Sequence, residues 1–447
     1  MSVRPTIRWA ALVVGCGACA ELREDDAKTT AVTLADSESS PDETAAAETQ
    51  QEKFDANGPG GLLPPPECAS VTPGTGGSLG DLDFSYIWIS NSGEGTVSKI
   101  DTDTGVEVAR YFTSALEGAG DPSRTAVNPA GDVAVSSRGG AVTKIAAFVD
   151  RCEDFDDDGK IDTSSGPDDI LPWGTDECVR WSVELPGGGG EPKNHQGPRP
   201  TGWDAGTASE PCSRLWVGWY EQAQNRGRFR RLDGANGDTL DEITVDDWDV
   251  VQTGKNWGPY GGAVDESGNL WAVGWGGPLL RIDATTGEVD RWEAPVGTHP
   301  YGIALDANGH PWTSGMSGDV LHFDPDTQTF ASLMLDTGAG PRILRGLAID
   351  REGVAWIAAN SPCGLVTVDT ATHTLLSDAV ELPDCSMPVG VGIDVQGRVW
   401  VPDSVENVAY RRDPATGTVI RTEGLVAPYT YSDMTGAGLE LVLNPQG

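Results

Sequence analysis

Short apolar stretches of four to six residues, rich in Val, Ile, Leu and Trp, recur along most of the chain with polar corners between them. Gly302–Leu305, Pro311–Thr313 and Val289–Glu293 are examples, and none continues at helical spacing, so each predicts a β-strand. The corners repeat. Tyr260–Asp265 is followed by Gly268 and Trp271, Tyr301–Asp306 by Gly309 and Trp312, Leu344–Asp350 by Gly353 and Trp356, and Val389–Asp394 by Gly397 and Trp400. Asp opening and Gly closing such a corner suit a type I turn, because Asp accepts from turn amides and Gly tolerates the exit conformation. A second corner ends each third strand: Asp283-Ala-Thr-Thr-Gly287, Asp324-Pro-Asp-Thr327, Asp369-Thr-Ala-Thr372 and Asp413-Pro-Ala-Thr-Gly417.

The four tryptophans lie 41, 44 and 44 residues apart. Four strands per repeat of that length is the signature of a β-propeller blade. Looser copies, at Lys99-Ile-Asp101, Asn128-Pro-Ala-Gly131, Leu215-Trp216-Val217 and Arg231-Leu-Asp233, extend the pattern to seven blades starting near 86, 121, 197, 258, 299, 344 and 387. The predicted fold is all-β, a seven-bladed propeller of four-stranded blades. Blade one lacks an innermost strand, and the strand-like run Ser432–Val442 is expected to supply it from the C-terminus, closing the ring and removing open sheet edges. Because Trp and Asp recur in the same place, they read as packing and turn residues. Function is expected where the copies differ.

The segment before the repeats changes the picture. Residues 1–19 carry Arg4 and Arg8, then the apolar run Trp9–Val14 and Gly15-Cys16, the layout of a signal peptide. Val13-Val14-Gly15-Cys16 resembles a bacterial lipobox, which implies lipidation at Cys16 and an outer-membrane lipoprotein. Residues 20–66 are acidic, poor in aromatics and expected to form a disordered tether. The propeller then spans 67–447, with an insertion over 150–180. The formal charge of −38 excludes nucleic acid as a partner and disfavours anionic lipid, leaving the anchor as the expected membrane contact and a monomer as the expected state. Export permits disulfides. Cys152 with Cys178 and Cys363 with Cys385 are the preferred pairs, and Cys68 with Cys212 follows by elimination.

The insertion contains Asp154-Phe-Asp156-Asp-Asp158-Gly159-Lys160-Ile161-Asp162. Oxygens from Asp154, Asp156, Asp158, the Lys160 carbonyl and Asp162, with Gly159 between, match a calcium loop of the EF-hand type. Position 12 is Ser165 instead of Glu, so Asp168 or Asp169 is expected to supply the last ligand. At the strand entrances, the non-repeated Arg124, Tyr260, Tyr301 and Arg345, with Trp219, Trp275, Asn360 and Asp403 after the second strands, are candidate channel-mouth residues for a peptide, glycan or protein ligand. Pro186–Ser213, with His195, Trp203 and Asp204, reads as a long irregular interruption of blade three. His310 and His373 fall at turns and His322 in a strand, where structural roles are expected.

Gly258-Pro-Tyr-Gly-Gly-Ala-Val-Asp265 and His299-Pro-Tyr-Gly-Ile-Ala-Leu-Asp306, with their corners, resemble the repeats of streptogramin B lyases (virginiamycin B lyases) and of NHL-type propellers over roughly residues 84–442. The resemblance implies a seven-bladed propeller and, for a lyase, magnesium-dependent C–O elimination on a cyclic depsipeptide. The lyase repeat carries a histidine after the entrance proline. Here those positions are Tyr260, Tyr301, Arg345 and Val389, so no catalytic residue transfers. The first expectation is an exported binding or scaffold module, and the lyase is its alternative.

Overall fold

The computed structural model describes residues 85–186, 196–206, 212–248, 258–275, 277–335, 340 and 342–443. Cys16, the tether at 20–66, Cys68 and His195 lie outside them. Twenty-seven strands build seven antiparallel sheets, each with its strands in chain order. Blade four is typical. β12 (Pro259–Val264) pairs with β13 (Leu270–Gly274), β13 with β14 (Pro278–Ile282) and β14 with β15 (Val289–Glu293). The inner strands are buried while outer ones such as β19 (Thr329–Met334) are mostly exposed, so the core lies between blades and towards the axis.

The corners form as their residues dictate. Asp265 Oδ1 accepts from the Ser267 and Asn269 N–H groups, both at 3.0 Å, and Gly268 exits at φ 82°. The other oxygen does something the spacing does not announce. Asp265 Oδ2 accepts the Trp271 indole N–H at 3.1 Å, and the same bond recurs from Trp312 to Asp306 (3.0 Å), Trp356 to Asp350 (2.7 Å) and Trp400 to Asp394 (2.8 Å). One carboxylate therefore satisfies both the turn and the buried indole, which fixes their spacing.

Ring closure occurs slightly earlier in the chain than the apolar pattern suggests. β1 (Tyr86–Asn91), β2 (Thr96–Asp101) and β3 (Glu107–Phe112) form a three-stranded sheet. Residues 428–434 take the innermost place beside β1. Asn91 bridges Pro428, the Tyr429 N–H donates to the Ser90 carbonyl at 2.9 Å, and the Trp88 N–H donates to that of Met434 at 3.0 Å. Pro428-Tyr429 thus occupies the place of Pro259-Tyr260 and Pro300-Tyr301.

The expected strand over Ser432–Val442 does not continue; Ala437–Leu443 is a helix, α1. Gly436 turns the chain at φ 89°, and Asp433 caps the turn by accepting from Thr435 (3.2 Å), Gly436 (2.7 Å) and Leu439 (3.3 Å) N–H groups. Leu439 and Val442, three apart, share one helix face and pack with Trp203, Trp271 and Ile303. A short apolar run does not distinguish strand from helix by itself.

Blade three differs too. Thr201–Trp203, expected within an irregular loop, is its innermost strand, β8, paired with β9 (Arg214–Glu221). Cys152–Cys178 and Cys363–Cys385 are both bonded. Cys212 is also disulfide-bonded.

Candidate functional site

The inner strands all enter the ring at one end, and their first side chains meet there. Tyr260 and Tyr301, from blades four and five, pack with Val389 of blade seven and with Tyr429 and Tyr431 of the closing segment in one buried cluster. The Tyr301 and Tyr431 ring centroids are 4.6 Å apart, and those of Tyr260 and Tyr301 4.9 Å. The Tyr260 and Tyr429 hydroxyl oxygens lie 3.5 Å apart, and Tyr301 Oη bonds to Tyr429 Oη. Glycines let the strands converge. A Cβ on Gly346 would meet Gly390 Cα at 2.9 Å, and one on Gly302 would meet Gly346 Cα at 2.9 Å.

Arginines complete the layer. Arg124 is fully buried, its guanidinium 3.3 Å from the centre of the Tyr431 ring. It donates to the Tyr260 carbonyl (3.2 and 3.3 Å) and the Ser123 carbonyl (2.8 Å), and among the described residues no carboxylate pairs with it. Burial therefore pulls its pKa down, against a smaller opposing effect of the surrounding tyrosines. Arg199, 5.0 Å from the centre of the Tyr260 ring, is lowered by burial in the same way. Arg345 donates from Nε to Asn360 Oδ1 at 2.9 Å and from Nη1 to Tyr301 Oη at 3.2 Å. Arg138 is the contrast: burial pulls it down as well, but its ion pair with Asp121 at 2.5 Å outweighs that and raises it. The mouth is thus a buried aromatic layer in which Arg124 meets no carboxylate among the described residues, in a protein whose net charge is −38.

Of the eight candidate mouth residues, Arg124, Tyr260, Tyr301, Arg345 and Asn360 meet in this layer. Asp403 is buried as a turn holder, accepting from the Ser386 (2.8 Å), Met387 (3.0 Å), Val405 (3.1 Å) and Glu406 (3.1 Å) N–H groups. Trp219 lies beside Arg230, 5.2 Å from its guanidinium, and Trp275 is half-buried just after β13. Arg199, Tyr429 and Tyr431 were not anticipated. Pro428-Tyr429 repeats the Pro-Tyr entrance of blades four and five, and that signal could have found it.

Between the mouth layer and α1 the channel encloses a cavity of about 70 Å³, lined by Gly262, Ile303, Leu347, Asp433 and Leu439 among others. Burial raises the Asp433 carboxyl above the ordinary range, although four backbone N–H groups oppose the shift.

On the rim, the insertion brings the carboxylates of Asp154, Asp156 and Asp158 within 4.8 Å of one another. Gly159 turns at φ 81°. Glu177, unremarked in the sequence, ties both ends of the loop: it accepts from the Phe155 N–H at 2.6 Å and from the Asp162 N–H at 2.8 Å. The adjacent Cys178 disulfide puts it there. Asp169 instead accepts from the Ser165 N–H and hydroxyl at 3.2 and 2.7 Å.

No family model matches the chain, and no curated protein does. Solved structures similar to it include a protein from Lactobacillus plantarum, at TM-score 0.53 and 12% identity over 77% of this chain and 97% of that one. Virginiamycin B lyase from Staphylococcus aureus is similar at TM-score 0.47 and 14% identity, over 71% and 92% of the two chains. BamB from Moraxella catarrhalis is similar at TM-score 0.44 and 15% identity, over 80% and 90%. At these identities the likeness is one of fold. The chain is a β-propeller, and the resemblance read from its repeats holds at that level.

Proposed function

We propose that this propeller is an exported, lipid-anchored binding module whose mouth takes the anionic group of a peptide or glycan. The observation that carries the reading is Arg124, a buried guanidinium matched by carbonyls and rings but, among the described residues, by no carboxylate. A buried charge is costly unless paired. A ligand carboxylate arriving beside Arg124 would supply the charge it lacks, and the tyrosine rings would pack its apolar part. The N-terminal Arg4–Cys16 pattern and the disulfides support export and anchoring at Cys16.

The acidic loop fits calcium in this reading. Asp154, Asp156, Asp158, the Lys160 carbonyl and Asp162 are its hard oxygen donors, and Glu177 is the carboxylate best placed to stand for the absent position-12 ligand. Calcium would order the insertion rather than take part in chemistry. Adding it should raise the thermal midpoint, and Asp156→Ala should erase the gain; a midpoint unmoved by EDTA would remove calcium from the account.

The binding claim is tested by offering the purified full chain to arrays of acidic peptides and uronate-bearing glycans. Hits are then measured again on Arg124→Met. A loss of about tenfold or more is expected, since charge-assisted bonds contribute roughly 1.5–3 kcal/mol each. Equal affinity in the variant would refute the role of Arg124. Magnesium-dependent opening of a cyclic depsipeptide by the same preparation would replace the binding reading with the lyase one.

A further inference from the structure

Three of the five histidines in the chain meet at the opposite end of the ring from the mouth. His310 follows the first corner of blade five, between β16 (Pro300–Leu305) and β17 (Pro311–Gly315), and His322 lies in β18 (Asp319–Asp324). His373 comes from the second corner of blade six. His310 Nδ1 and His322 Nε2 are 3.3 Å apart, and His322 Nε2 is 4.0 Å from Asp306 Oδ2. One donor atom from each of these three residues falls within a 4.8 Å span. The His373 ring centroid is 4.6 Å from that of His322, and Trp312 packs on both imidazoles at 4.8 and 5.2 Å.

From this geometry we propose that Asp306, His310 and His322, completed by His373, form a zinc site between blades five and six. A tetrahedral ion with metal–nitrogen bonds of about 2.0–2.1 Å holds its nitrogen ligands roughly 3.3 Å apart, the separation seen between His310 and His322. Sister blades show what is unusual here. Where blade five has His322, blade four has Arg281, 3.6 Å from Asp265; at the place of His310, blade seven has Arg398, which pairs with Asp394 at 2.7 Å. Blade five has histidine at both of these places, and His322 is the only basic side chain within ion-pair reach of Asp306 among the described residues. A divalent cation restores the charge balance.

His373 departs from the repeat as well. Its backbone is left-handed, φ 56°, at a corner position where Gly105, Gly237, Gly287 and Gly417 stand in four other blades and Gln328, φ 55°, in blade five. A non-glycine residue is unfavourable there, and of the two that occur His373 alone brings a metal-ligating side chain. Neutral imidazoles with one carboxylate, backed by a tryptophan, form a donor set that suits zinc better than calcium or magnesium.

The test uses the full chain, freed of metal by chelation and returned to buffer with excess calcium so that the acidic loop is saturated. Calorimetry with Zn²⁺ should show one site, and Co²⁺ in its place should give the visible absorption of a tetrahedral ion. The double variant His322→Arg, His373→Gly installs the residues of sister blades and should fold. It should bind Zn²⁺ at least about tenfold more weakly and lose the cobalt spectrum. Two results would overturn the site: no zinc binding by the wild-type chain, leaving a simple hydrogen bond between two histidines, or unchanged binding by the folded double variant.

Discussion

The two ends of the propeller channel are built on opposite principles. At the corner end, the repeated aspartates stabilise the fold. Asp394 alone accepts from the Gln396 and Arg398 N–H groups, the Trp400 indole and the Arg398 guanidinium. At the mouth end, Arg124 and Arg199 are buried beside tyrosines, and Arg124 has no carboxylate partner among the described residues. The corner Asp, Gly and Trp recur at fixed spacing from blade to blade, whereas the mouth carries Tyr in some blades and Arg in others. A residue that lowers the stability of the fold and is present in one copy only is the better candidate for function.

The largest effect should come from the corner end. Trp400→Ala removes a fully buried indole and leaves the Asp394 carboxylate under-satisfied, which should cost about 3–5 kcal/mol in chemical denaturation. A loss below about 1 kcal/mol would show that the corners do not hold the blades, and the contrast would fail.

Next is the rim. Replacing Cys152 and Cys178 together by Ser should cost about 2–4 kcal/mol by releasing the insertion loop. It should also weaken any calcium response, because Glu177 is positioned by the neighbouring disulfide. An intact calcium response in that variant would place the ligand set elsewhere.

A smaller effect tests a buried cation at the corner end, Lys99. Lys99, in the third-strand place that Arg281 takes in blade four, is lowered to about 8 by burial, partly opposed by Asp132. A folded pKa below the unfolded one means that the unfolded chain binds more protons between about pH 8 and 10.5. Stability from this group therefore rises with pH across that window. The difference in urea midpoint between wild type and Lys99→Met, followed from pH 7.5 to 9.5, should shift in favour of the wild type. A flat difference would contradict the assignment.

The repeats made the ring legible because Asp, Gly and Trp at fixed spacing each have a local physical reason. The mouth was legible in part. Tyr260, Tyr301 and Arg345 stood out against their sister positions, and Arg124 did so within its own strand. Arg199 lay hidden in a segment whose Gly and Pro content read as loop, although Thr201–Trp203 pairs as a strand. Tyr429 and Tyr431 join only through ring closure, a contact across more than 300 residues of chain. The histidine cluster was not legible, since His310 and His322 come from one blade and His373 from the next, and only the packing of blades brings them together. Asp433 and Gly436 explain why the last apolar run turned into a helix, a local signal that its alternating pattern masked.

The contrast between the two ends rests most directly on the unfolding free energy of Arg124→Met. Methionine keeps much of the buried volume and removes the charge, so the variant should be as stable as the wild type or about 1 kcal/mol more stable. A loss of about 2 kcal/mol or more would show that the guanidinium holds the mouth together, and would contradict the claim that it is retained for a ligand.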